Sequence, residues 1–391
     1  MAISKERVER GYTSGNSVDL LRSGEPFFAA MELAIDSAVD YIHFQTYMVA
    51  EDDTGDRIVN ALIRAAHRGV RVYMVLDAFG SNSFTGRSIS KVTKAGILFR
   101  KYSPVLTSKG FQVRLRLHHK VLLVDGHTAI VGGINVANKY HGSEHRKEWL
   151  DFAVVVKGPI CVPILTVVKR IWNKKFISTK ERSRERIPTP DVYENGVMLR
   201  MVQCNWFKRK VEILMSYRKA LKNAQKSVVI MASYFLPGRK DRKLLKQSSL
   251  RGVNVTIILP AESDVPMFKR ATNFLYGFFL RNNINIYEYT PSNIHAKVAT
   301  VDGGWSTIGS YNFNHLSDYG SIEMNINILD ANFTKEFDHV LQQIRVNDCR
   351  QITFDDYLRR KTILSRIVDW ISFQFVRIML RLMFYLTRKG E

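Results

Sequence analysis

Two short stretches of this chain carry the same residues at the same spacing. The first is His118-His119-Lys120, followed by Asp125, Gly132-Gly133 and Asn135; the second is His295-Ala296-Lys297, followed by Asp302, Gly309-Ser310 and Asn312. In both, the Lys stands two residues after the His, the Asp five after the Lys and the Asn ten after the Asp. Imidazole attacks electrophiles and moves protons near neutral pH, while an ammonium and a carboxamide hold anionic oxygens. Brought together in duplicate, these groups make a pocket for a phosphate. A lone His-x-Lys is more often a surface pair, but two copies with matched offsets mark a site.

The spacing requires particular elements. Leu117–Val124 reads as a buried strand, in which alternation sets His118 beside Lys120 on one face. Asp125-Gly126 is a tight-turn dipeptide, and Thr128–Val131 returns as a second strand that carries Asn135 back to the His/Lys end. Ile294–Val301, the turn Asp302-Gly303-Gly304 and a return strand ending at Ser310 repeat the plan. Glycines at 132, 133 and 309 allow backbone amides to approach an oxyanion. Asp125 and Asp302 are counted with the catalytic set; the alternative is that they only brace their turns.

Other echoes accompany the motifs. Arg68-Gly69-Val70 before a strand at Arg71–Leu76 returns as Arg251-Gly252-Val253 before Asn254–Leu259, and strand Tyr41–Tyr47 returns as Val228–Tyr234. Strands alternating with helical stretches such as Asp56–His67 predict two α/β/α halves with mixed sheets, related by a pseudo-twofold, with the site at their seam. A basic run from Lys169 to Arg186 leads to Pro188 and Pro190 and reads as a solvated connector, with lipid headgroup contact as the alternative. The expected boundaries are 1–172 for the first half, 173–196 for the connector, 197–350 for the second half and 351–391 for a terminal helix.

A net charge of +22 points to a polyanionic partner, nucleic acid or an anionic membrane. The C-terminal stretch Ile363–Leu386 chooses between them. It is long enough to cross a bilayer core of roughly 30 Å, but Arg366, Arg377 and Arg381 fall in one narrow arc of a helical wheel. An amphipathic helix lying in the membrane interface, arginines toward the headgroups, avoids burying them. The aromatic run Phe274–Leu280 reads as a buried helix. The N-terminus shows neither a secretory signal nor a span, so the catalytic halves are expected on the cytoplasmic face. Three scattered cysteines, Cys161, Cys204 and Cys349, agree with a reducing compartment. No ligand set at metal spacing is present, so neither a metal nor another cofactor is expected.

HxKxxxxD followed by GGxN or GSxN, twice per chain, resembles the signature of the phospholipase D superfamily. Ser23–Phe28, Arg68–Val72, Asp151 with Val154 and Gly158-Pro159, and the tail of the second half are similar to bacterial cardiolipin synthases, most of all the shorter B type without N-terminal membrane spans. The resemblance runs from about Val18 to the terminal helix. It implies that His118 attacks phosphorus and that His295 is the acid and base. It further implies that Lys120, Lys297, Asn135 and Asn312 hold phosphate oxygens, with Ser310 a further candidate, and that Asp151 and Glu323 orient the histidines. The implied reaction is phosphatidyl transfer to phosphatidylglycerol by a peripheral enzyme on a membrane containing phosphatidylglycerol and cardiolipin. A hydrolytic phospholipase D and a nuclease of the same superfamily are the alternatives; no further nucleic-acid module is recognisable, and homo-oligomerisation stays open.

Overall fold

The computed structural model describes residues 11–103, 106–107, 110–111, 115–174, 182–205, 210–314, 317, 320–360 and 362–389. Two sheets of the same design lie side by side. Across the first the strand order is Thr13–Arg22, Phe152–Lys157, Thr128–Gly132, Lys120–Val124, Tyr41–Thr46, Arg71–Asp77 and Leu98–Tyr102. Across the second it is Val197–Asn205, Ser321–Leu329, Trp305–Gly309, Lys297–Val301, Ser227–Ala232, Asn254–Pro260 and Asn285–Tyr289, with Cys349–Ile352 added at the edge. In each, neighbours are antiparallel up to the fifth strand and parallel for the next two pairings. The expected α/β repeat with mixed sheets is therefore present.

Local chemistry accounts for the elements. Helix Asp53–His67 starts where the Asp52 carboxylate accepts the Gly55 N–H at 2.9 Å and buries Ile58, Val59, Leu62 and Ala65 at helical spacing. It stops at Gly69, whose φ of +92° only glycine adopts freely, and Gly252 at +86° ends the matching helix Arg239–Leu250. The repeated Arg-Gly-Val triplet is thus a helix stop followed by a strand start.

The halves are joined by backbone and by core. Thr13 and Asn16 pair with Leu199 and Val197, and Arg116-Leu117 runs parallel to Ser321-Ile322. One apolar cluster includes Val156, Ile164 and Trp172 from the first half and Ile308, Ile326 and Phe337 from the second. The Phe152 and Phe337 rings meet edge-on, with centroids 5.3 Å apart.

Two expectations are corrected and a third is refined. The strand expected over Leu117–Val124 is broken at His118-His119, because Arg116-Leu117 pairs with the second half whereas Lys120–Val124 belongs to the first sheet. The connector is not wholly solvated: residues 175–181 lie outside the described residues, but Ser183 and Glu185 are buried, and Glu185 accepts from the Tyr73 hydroxyl at 2.5 Å. The terminal helix Ile363–Lys389 keeps its apolar face outward, but its arginine edge is not wholly free, because the neighbouring flank is covered by protein. It packs on helix Pro266–Leu280 through Ser372, Val376 and Leu380, with Asp369 3.8 Å from Arg270 and Phe373 against Phe274. Arg377 is half-buried over the Phe373 ring, while Ile367, Trp370, Ile371, Phe375, Ile378 and Leu382 are exposed. Helix Pro266–Leu280 itself buries Leu275, Tyr276 and Phe279, as the aromatic run led us to expect.

Asp125 and Asp302 both stand at positive φ, +50° and +55°, in the hairpin turns beyond the motif strands. The Asp125 carboxylate accepts the N–H groups of Val39, Asp40 and Tyr41, and Asp302 those of Gln225, Lys226 and Ser227, all at 2.7–2.9 Å. The catalytic placement of these two residues is therefore corrected: each lies beyond the far end of the five-residue strand that its lysine begins, and each carboxylate fixes the loop that starts the fifth strand of its sheet. Replacing either by Ala should destabilise the fold by roughly 1–3 kcal/mol, since three backbone donors lose their acceptor. Thermal unfolding measures the loss; a turnover defect at full retention of stability would return the residue to the chemistry.

Candidate functional site

The site is built where the two halves exchange backbone. The N–H groups of His118 and His119 both donate to the Ile322 carbonyl, at 3.1 and 2.9 Å. In the mirror arrangement those of His295 and Ala296 donate to the Leu150 carbonyl, at 2.8 and 3.0 Å. Each histidine is thereby set one residue away from the carboxylate of the opposite half. Glu323 Oε2 lies 2.9 Å from Nδ1 of His118, and Asp151 Oδ2 lies 2.6 Å from Nδ1 of His295. A carboxylate that accepts the Nδ1 proton leaves the lone pair on Nε2, the tautomer suited to attack or to proton exchange.

The lysines are the next layer. Lys120 and Lys297 are buried, and each Nζ donates to the carbonyl of the histidine two residues before it. The Tyr47 ring stands edge-on to His118 at 5.0 Å and under Lys120 at 5.3 Å, whereas Tyr140 and Trp149 flank His295 at 5.2 and 6.5 Å. Ser233 donates to Oδ1 of Asn312 at 2.8 Å. Asn135 Nδ2 contacts the Tyr140 hydroxyl at 3.0 Å, and its Oδ1 is buried with no partner among the described residues.

Two cations and two carboxylates share this dry space, and their ionisation is displaced accordingly. Burial lowers Lys120 to about 7 and Lys297 to about 8, against the pull of Glu323 and Asp151. Burial raises Asp151 to about 7, whereas for Glu323 the same burial is outweighed by His118, Lys120 and the Ser310 hydroxyl, which hold it at about 2. Both histidines are lowered, first by burial and, for His295, then by Lys297, Lys120 and His118. The His295 imidazole thus lies within the electrostatic reach of His118 and of both lysines.

A model of the family described as "Cardiolipin synthase, PLD-like domain" matches residues 31–172 and 217–345. The chain belongs to this family. Cardiolipin synthase B of Salmonella typhimurium is 30% identical over 94% of the chain and 89% of its own length, and cardiolipin synthase B of Escherichia coli is 28% identical with the same coverage. In fold, a phosphatidylserine synthase of Haemophilus influenzae superposes with a TM-score of 0.73 at 14% identity, covering 98% of both chains. With the cardiolipin synthase family comes the class of enzyme, a phosphatidyltransferase.

The structure brings together His118, Lys120, Asn135, Asp151, His295, Lys297, Ser310, Asn312 and Glu323, and leaves Asp125 and Asp302 at the far turns. Ser310 has a different task from the expected one: its hydroxyl donates to Glu323 at 2.5 Å, so it supports the carboxylate and is not turned to a phosphate. Its counterpart Gly133 has no side chain because a Cβ there would stand 2.6 Å from the Asp151 oxygens. Tyr47, Tyr140, Trp149, Ser233 and Ser321 were not singled out from the sequence. They lie outside the repeated signature, and only the folded chain gathers them. Among the described residues no cluster of metal-ligating side chains occurs. Because the lysines bind an anion as cations, tungstate binding should weaken as pH rises through about 7 and about 8, where Lys120 and Lys297 lose their protons. Calorimetry between about pH 6 and about pH 9 measures this, and a flat profile would refute it.

Proposed function

We propose that the chain transfers a phosphatidyl group from a donor phospholipid to phosphatidylglycerol, forming cardiolipin through a phosphohistidine. The observation that carries this reading is the pair of imidazoles, each backed by the other half's carboxylate and both beside buried lysines. His118 is the nucleophile. Its carboxylate, Glu323, stays ionised with donors from Ser310 and Ser321, which keeps Nδ1 protonated and Nε2 free to attack. As the N–P bond forms, the P–O bond to the headgroup alcohol breaks and His295 gives that oxygen a proton. The arriving phosphate offsets the lysine field that depresses His295, so the imidazole holds the proton it must donate. In the second step His295 takes the proton of a glycerol hydroxyl of phosphatidylglycerol. The new P–O bond forms and the P–N bond breaks. Lys120 and Lys297 hold the non-bridging oxygens, and Asn135 and Asn312 add amide donors.

The terminal helix supports a lipid substrate over nucleic acid. Its exposed face is a continuous apolar stripe, and the adjoining helix Arg239–Leu250 presents Arg239, Lys240, Lys243 and Lys246 to solvent while Arg242 touches the Phe373 ring. Among the described residues no helix is long and apolar enough to cross a membrane. The helix therefore lies in the interface of an anionic membrane as a peripheral anchor, stripe toward the acyl chains and basic rim toward the headgroups.

Replacing His118 or His295 with Ala should lower cardiolipin formation from phosphatidylglycerol vesicles by about a thousandfold or more, read by mass spectrometry. Near-normal synthesis by either variant would sink the assignment. The double variant Ile371→Glu/Phe375→Glu, on the exposed stripe, should float away from anionic vesicles in a sedimentation assay while remaining folded; unchanged co-sedimentation would remove the anchor.

A further inference from the structure

On the first half lies a cavity of about 410 Å³ whose lining includes Thr54, Asn138, Lys139, Ser143, Arg146 and Lys147. Its basic groups fall into two sets. Arg57 and His141, also in the wall, are both held by Glu25 at 2.7 Å, and Arg57 is further held by Glu32 at 2.8 Å. Lys147 reaches Asp348 at 3.4 Å, and neither Lys139 nor Arg146 has a carboxylate within ion-pair distance among the described residues. Asp53 is the acidic side chain in the lining. Among the lining side chains themselves cations therefore outnumber carboxylates, with Asp264 and Asp52 in the electrostatic reach of Lys139 from outside the lining.

Its position ties it to the reaction. Lys139 Nζ stands 4.1 Å over the Trp149 ring, which lies 6.5 Å from His295, and Lys139 is among the cations whose field lowers the His295 pKa. The cavity is also where the repeat breaks. Sixteen residues lead from Asn135 to Asp151 but eleven from Asn312 to Glu323, and the longer segment supplies Ser143, Arg146 and Lys147. At the offset of Lys139 the second copy has Leu316. A symmetric pocket suffices for the one phosphate that both histidines share, so an added one-sided cationic chamber serves a second anion.

The proposed transfer contains such an anion. Phosphatidylglycerol as acceptor attacks through one end of its glycerol headgroup and carries its own phosphodiester at the other end, a three-carbon bridge away. Lys120 and Lys297 are committed to the phosphate under attack. We propose, resting on the phosphatidyltransfer reading, that Lys139, Arg146 and Lys147 hold the phosphodiester of the acceptor lipid. The site so defined selects an alcohol that is itself a glycerophospholipid over water or a free alcohol.

Two reactions of the full chain on the same vesicles separate the subsites. Exchange of labelled glycerol into phosphatidylglycerol uses the donor pocket and an acceptor with no phosphate; cardiolipin formation uses the donor pocket and an acceptor that has one. In the variant Arg146→Ala/Lys147→Ala, cardiolipin formation at sub-saturating phosphatidylglycerol should fall by about ten- to a hundredfold, the loss expected for charge-assisted hydrogen bonds. Glycerol exchange should hold within about twofold, and Arg146→Lys/Lys147→Arg should restore synthesis. Equal loss of both reactions, loss of exchange alone, or no change in either overturns the acceptor subsite while leaving the transferase reading intact. Absence of both reactions in the unaltered protein removes the two together.

Discussion

The structure depends on two hydrogen bonds that cross between halves, His118 to Glu323 and His295 to Asp151. Each is prepared by the backbone. The strand that leads into a histidine leaves its own sheet, meets the other half one residue short of the partner carboxylate, and returns to its own sheet at the lysine. Neither half therefore contains a complete site. The large shared core, with Phe152 against Phe337, is what makes a geometry this demanding rigid enough for chemistry.

Placing so many ionisable groups out of water is costly unless they compensate one another, and here they do so unequally. Glu323 has two serine hydroxyls and stays ionised, whereas Asp151 sits against Gly133 with the Phe152 amide and is driven upward by burial. His118 and Lys120 do most to keep Glu323 ionised and the Ser310 hydroxyl adds to them, whereas Gly133 offers Asp151 no such donor.

Much of this was legible in the residues. The doubled signature located both histidines, both lysines and both asparagines, and the echoed Arg-Gly-Val triplets and strands implied the repeated α/β halves. What escaped has a common cause: spacing along one chain says nothing of what the other half contributes. Hence the break at His118-His119, the aromatic walls from Tyr47, Tyr140 and Trp149, and the hydroxyls behind Glu323 had no local signal. The turn aspartates were ambiguous for the opposite reason, since Asp-Gly serves a hairpin whether or not its carboxylate reacts. For the terminal helix, a wheel shows which residues share a face but not which face a neighbour covers; helix Pro266–Leu280 accepts the side bearing Asp369 and Arg377 and leaves the apolar stripe outside.

The carboxylate exchange also sets a timetable for biosynthesis. A ribosome that has delivered everything up to Trp172 has released a sheet bearing one histidine and one carboxylate, each waiting for a mate that has not yet been translated. Both His–carboxylate pairs form only after Glu323 emerges and the second sheet closes on the first. A stalled or prematurely terminated product therefore holds one histidine without its carboxylate and one carboxylate without its histidine.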